Sequence, residues 1–229
     1  MCILAGLSAC GGNDTKSPDA TIVNVPQSIK LSGVASGRTP SATTPLSGVA
    51  VSAFSNSDDT TPIMSTTSDA TGAYSLTIAT NGVPVDGYVK ATITGFVDTY
   101  LYPPAPLVAD FDSASINMVN TDTINLLSDT LCHSAQMLTN GAVAIEVVDA
   151  TGATVGGAVA TASPAPSKIC YDSNGFPNST AMVTATDGLA YMLNVTGDVT
   201  VGATLTGMTF TSHHVNARVG ALTTTLISP

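Results

Sequence analysis

Tyr100 and Tyr102 stand two residues apart in the run "TYLYPPAPL", and a strand would carry both rings on one face. Two phenol rings in such a row can form a platform for a sugar ring or a peptide, with apolar contact and a polar tip. The other reading, which we favour, is that they cover their own domain against the proline-rich loop. The absence of tryptophan from the chain weakens a carbohydrate platform further. Carboxylates come in pairs at Asp58-Asp59 and at Asp110 with Asp112, and calcium would want several oxygen ligands around either pair. No EF-hand-like pattern surrounds them, and "SNSDDTTP" reads as a solvated hairpin tip. His133, His213 and His214 are the candidate metal ligands. Neighbours on a strand point to opposite faces, so His213 and His214 cannot serve one site without a bulge. Serines abound, yet no "GxSxG" elbow offers a nucleophile. We therefore expect no catalytic residues, no metal site and no cofactor.

The composition narrows the partners. Of 229 residues only six are Lys or Arg, the formal charge is −10, and 10% of residues are charged. The six cations are scattered, so no cluster can neutralise a run of phosphates, and nucleic acid is excluded as a partner. Hydrophobic residues reach 44%, but no uninterrupted apolar run approaches the roughly 20 residues of a spanning helix.

The elements that must position these residues read as short strands. Gly, Pro, Ser and Thr recur along the whole length, which suits tight turns and strands better than helices. Ile29 to Gly33, Val49 to Ala53, Tyr74 to Ile78, Val89 to Ile93 and Val97 to Tyr102 each alternate, and "SDATG" (Ser68 to Gly72) is a compact turn signal. The same order returns later. "VGGAVAT" (Val155 to Thr161) echoes "LSGVAVS" (Leu46 to Ser52), and "TATDGLAYML" (Thr184 to Leu193) echoes "TSDATGAYSL" (Thr67 to Leu76). "VGATLTGM" (Val201 to Met208) matches "VKATITGF" (Val89 to Phe96) without a gap, five positions being identical and a sixth pairing Leu with Ile. A duplicated strand set accounts for this. Between the copies, Ile124, Leu127 and Leu131 recur at helical spacing, with Thr121 or Asp122 as N-cap and Asn140-Gly141 as a stop. This predicts a short amphipathic helix bracing the joint; an irregular linker is the alternative.

The N-terminus supplies an address. "LSAC" (Leu7 to Cys10) resembles the bacterial lipoprotein lipobox, an apolar residue and two small ones before the cysteine that is lipidated. Only nine residues precede Cys10 and none is basic. We read 1–9 as a truncated signal segment and 10–27 as a polar, lipidated tether; a chance match is the alternative. The resemblance implies three acyl chains on Cys10, where two already anchor stably. Gly11, not Asp, follows the cysteine, which favours an outer-membrane or cell-surface address in the envelope. For such an exported chain, Cys132 and Cys170 are an even remainder, and a disulfide is expected between them. Two separate buried thiols are the alternative.

The first copy resembles the carboxypeptidase regulatory-like domain, a transthyretin-like (prealbumin-like) β-sandwich. Its marks are an opening strand with glycine, "PLSGVAV" (Pro45 to Val51), "TTSDATGAYSL" (Thr66 to Leu76) and "GYVKATITGF" (Gly87 to Phe96). The resemblance covers 28–118 well and 141–229 more loosely, the second copy carrying an insert around "SPAPSKICYDSNGFPNS". It implies an all-β fold, two tandem immunoglobulin-like or transthyretin-like β-sandwiches joined by a short helix in 119–140. It brings no catalytic residues. The expected function is a non-catalytic scaffold or interaction module, held to a membrane through Cys10 and meeting an envelope protein or glycan. A carbohydrate-binding surface lipoprotein using Tyr100 and Tyr102 is the alternative.

Overall fold

The computed structural model describes residues 24–39, 42–173 and 175–229. The described residues are all-β: they form sixteen strands and one short helical passage. The first repeat holds β1 (Ser28–Thr39), β2 (Ala42–Pro45), β3 (Ala50–Ser55), β4 (Met64–Thr67), β5 (Ala73–Ala79), β6 (Gly87–Thr92), β7 (Thr99–Tyr102) and β8 (Ile116–Met118). The second holds β9 (Gly141–Val147), β10 (Val159–Ser163), β11 (Lys168–Ser173), β12 (Phe176–Asn178), β13 (Leu189–Val195), β14 (Gly197–Thr204), β15 (His213–Ala217) and β16 (Leu222–Ile227).

The repeat seen in the sequence is a repeat of hydrogen-bond register. β3 pairs with β6 antiparallel, Ala50 facing Thr92 and Ser52 facing Lys90. β10 pairs with β14 in the same way, Val159 facing Thr204 and Thr161 facing Gly202. These are the residues that the two echoing segments align. The turns agree as well. Gly48 and Gly157 occupy equivalent places with φ of 80° and 85°, and Gly95 and Gly207 do so with φ of 90° and 85°. A side chain is strained in that left-handed region, so glycine at these four positions is a backbone requirement.

Each repeat folds into a sandwich of two sheets. In the first, β5, β1 and β8 face β3, β6 and β7 across a core containing Ile29, Leu31, Leu76, Ile78, Val89 and Ile116. Tyr74, Leu76 and Ile78 alternate inward along β5 while the residues between them are exposed. In the second, β9 and β13 face β10, β14 and β15 across Val143, Ile145, Met192, Val199 and Val201. Strands β8 and β16 occupy corresponding places, each running parallel to the first strand of its repeat.

The joint between sandwiches is a sheet. Besides β9, strand β16 pairs with β7 of the first repeat, parallel, from Leu222 facing Thr99 to Thr225 facing Tyr102. One nine-stranded sheet therefore runs β12-β11-β13-β9-β16-β7-β6-β3-β4 through both repeats. Its two faces are used in opposite senses. Val89 and Leu101 turn toward the first core, whereas Tyr88, Tyr100 and Tyr102 lie on the face that carries the second.

The helix differs from its sequence-based form. It starts one residue earlier, with Asn120 Oδ1 accepting from the Thr123 amide at 2.8 Å, as asparagine's short acceptor side chain favours. The α-helical turn α1 (Thr121–Asn125) passes straight into a π-helical segment, Leu126–Leu131. It ends there because His133 takes a left-handed φ of 53°. The insert of the second repeat is also structured: β11 and β12 form an antiparallel hairpin that extends the long sheet.

Candidate binding cleft

The second sandwich leaves one face of its long-sheet strands outside its own core. Period-two alternation places Cys170 and Asp172 of β11, Leu189 and Tyr191 of β13, and Ala144 and Glu146 of β9 on that face. Opposite stand the end of β1 with Arg38, the β7–β8 connection with Phe111, and the helical passage with Ile124 and Leu127. Together they enclose a cleft of about 550 Å³. Most of its wall is hydrocarbon, and one end is not.

At that end Asp172 is only 2% exposed. Its Oδ2 accepts from the Tyr191 hydroxyl at 3.3 Å, while Oδ1 has no hydrogen-bond partner. Burial, and then the neighbouring Asp187 carboxyl, push Asp172 up to about 7. Glu146, the sole glutamate of the chain, is raised by burial and by Asp187, with Arg38 opposing. Burial and then Asp172 raise the Tyr191 phenol. Asp187, from the turn before β13, accepts from the Leu189 amide at 3.2 Å. Three carboxyl groups thus meet one guanidinium. The only ion pair among the described residues is elsewhere, Lys90 Nζ to Asp98 Oδ2 at 3.0 Å.

This site was not singled out from the sequence. The available signal was Glu146 inside the apolar strand "AVAIEVV", with Asp172 beside Cys170 and Tyr171. Without knowing that a second layer covers that face, such residues read as solvated.

The residues that were singled out lie as follows. Tyr100 and Tyr102 are 7% and 3% exposed, so they do not form an open stacking platform. Their rings join Tyr88 and Phe54 in an aromatic row, with Tyr88–Tyr102 centroids 5.1 Å apart and Phe54–Tyr88 centroids 5.4 Å apart. Arg218, from the β15–β16 corner, lies over Tyr88 and Tyr100 at 4.3 and 4.4 Å and donates from Nη1 to the Tyr102 hydroxyl at 2.8 Å. The continuous sheet is what covers them, because it brings the second repeat onto their face. Cys132 and Cys170 are joined in a disulfide, Cα atoms 5.8 Å apart, tying the end of the helical passage to β11 beside the cleft. Cys10, the segment 1–9 and the tether as far as residue 23 lie outside the described residues.

His213 and His214 diverge, Nδ1 of the first meeting Thr225 Oγ1 at 2.8 Å and that of the second Thr200 Oγ1 at 3.1 Å. Asp110 and Asp112 each spend an oxygen on β1, accepting from the Lys30 amide at 2.7 Å and the Ser32 hydroxyl at 2.6 Å. Asp58 accepts from the Thr60 amide and hydroxyl at 2.9 and 2.7 Å. Among the described residues no three His, Cys, Asp or Glu side chains converge as a metal site, and no helix is long and apolar enough to cross a membrane.

No family model matches the sequence, and no curated protein matches it. Solved structures do match, at low similarity. The Bacillus anthracis TIE protein is 12% identical with a TM-score of 0.29, over 87% of this chain and 34% of that one. Shaft pilin SpaA from Lactobacillus rhamnosus GG is 12% identical with a TM-score of 0.27, over 88% and 98%. GBS52, the minor pilin of Streptococcus agalactiae, is 12% identical with a TM-score of 0.28, over 87% and 94%. The chain spans about a third of the first protein and nearly the whole of the other two. At scores this low, neither topology nor role carries across.

Proposed function

We propose that this chain is a non-catalytic scaffold of the cell envelope, lipid-anchored at Cys10, whose fused sandwiches form a stiff strut that meets a protein or glycan partner. The observation that carries the strut is β16, held on one side by β9 and on the other by β7. Inter-domain surfaces otherwise allow relative motion by default; here bending the joint would break a ladder of backbone hydrogen bonds. The address rests on the resemblance of Leu7 to Cys10 to a lipobox and on the polar stretch that follows. The tyrosine-platform alternative loses its geometric support, since the ring faces are covered. Expression of the chain with its native upstream sequence in a bacterium fed alkyne-palmitate tests the address. Label on the wild type and none on Cys10→Ser supports it. A mature protein that keeps residues 1–9 with no acyl mass on Cys10 overturns it.

A further inference from the structure

The buried end of the cleft is unfinished. An unpartnered acceptor in a nearly inaccessible carboxyl is costly, whether left as a charge or as a lone oxygen. Asp172 Oδ1 is such an atom, and its residue lines a cavity large enough for a small molecule or a side chain. The groups facing it are Asp187, Glu146 of β9, Tyr191 of β13 and Arg38 of β1. Tyr191 already donates its one proton to Oδ2. Arg38 forms no ion pair with these carboxyls. An anion would meet three carboxyl groups against one guanidinium. A neutral apolar guest would fill the hydrocarbon part and leave Oδ1 unmatched.

We propose that the cleft binds an organic cation, an ammonium or guanidinium head seated at Asp172 and Glu146, with its hydrocarbon stem along Leu127, Leu189 and Leu222. The head supplies the donor that Oδ1 lacks, and the stem covers wall that is apolar. The cation can be a free amine or a basic side chain of a peptide; the chemistry is shared. This inference stands independently of the anchored-scaffold reading. It also has a pH sense. Below about pH 7 Asp172 is neutral and attracts a cation weakly; above it the carboxylate is charged and binding strengthens.

The test is an amide-resolved NMR titration of the full-length chain with hexylamine, 1-hexanol and hexanoate, at pH 8 and pH 5.5. A lysine-bearing pentapeptide in parallel distinguishes a side-chain cation from a free amine. Hexylamine at pH 8 is expected to shift the amides around Glu146, Asp172 and Tyr191 and to bind about tenfold or more tightly than 1-hexanol, as one charge-assisted hydrogen bond requires. That advantage should collapse at pH 5.5 and in Asp172→Asn. If Asp172→Asn does not fold, Glu146→Gln should weaken hexylamine at pH 8 while leaving 1-hexanol unchanged. Equal binding of amine and alcohol at pH 8, tighter binding of hexanoate, or shifts confined to other surfaces would overturn the proposal.

Discussion

Arg218→Ala should loosen the two sandwiches from each other. The guanidinium carbon lies 4.3 and 4.4 Å from the Tyr88 and Tyr100 ring centroids, well inside the range of cation–π attraction, which is worth about 1 kcal/mol per half-buried contact. Its hydrogen bond to the Tyr102 hydroxyl at 2.8 Å adds about 1–2 kcal/mol, since the donor is charged. The total is about 3 kcal/mol. With a urea m-value of about 2–3 kcal/mol/M, the midpoint should fall by about 1 M with m unchanged. Arg218→Lys keeps the charge but loses the planar stack, and should fall about half as far. Because Arg218 comes from the second repeat and the tyrosines from the first, a double-mutant cycle isolates the bond across the joint. Arg218→Ala and Tyr102→Phe should couple by about 1 kcal/mol. A midpoint within about 0.2 M of wild type for Arg218→Ala, or additive losses in the cycle, would refute the assignment of this residue as a clamp.

Reduction of the Cys132–Cys170 disulfide, whose half-cystines are 38 residues apart, releases loop entropy worth about 4 kcal/mol in the chain-entropy description. The melting temperature should drop by about 8–16 °C with dithiothreitol, and an unchanged value would remove the bond's structural role. Asp172 gives stability a particular pH course. Its folded form holds a proton that the unfolded chain has already released, so stability falls as pH rises from about 4 to about 7 and stays low above that. Asp172→Asn should therefore gain on wild type as pH rises from 4 to 8, being more stable than wild type at pH 8 and no more stable at pH 4, read by urea midpoints. Asp58, Asp69 and Asp149 act in a separate window. Hydroxyls of Thr60, Thr71 and Thr151 and nearby amides hold them below the usual carboxylate range, so what they contribute is present above about pH 4 and lost as pH falls further.

Much of the fold was legible because it is local or repeated. Alternation marked the inward residues of β3 and β5, and "SDATG" closes its turn with Asp69 Oδ1 accepting from the Thr71 and Ala73 amides at 2.8 and 3.0 Å. The echo of "VKATITGF" in "VGATLTGM" held to the level of strand register. What did not show was the edge that β7 offers to β16. The pairing joins residues more than a hundred positions apart, and an edge carries no sequence mark beyond ordinary β-formers. Two features of the site share that cause. Tyr100 and Tyr102 could offer the alternative platform only while their face was free, and nothing in the sequence set Glu146 apart, because the layer that covers its face comes from the first repeat. Each outward face of a single sandwich became an inner one when the sheets merged.

Calorimetry of the full-length chain with its disulfide intact tests the fused architecture most directly. If the nine-stranded sheet makes both repeats one cooperative unit, a single transition is expected. With about 200 described residues, its calorimetric and van 't Hoff enthalpies should agree near 140 kcal/mol at about 60 °C. Two resolved transitions of about 70 kcal/mol each, or a van 't Hoff enthalpy near half the calorimetric one, would contradict it, because the sandwiches would then melt as separate bodies.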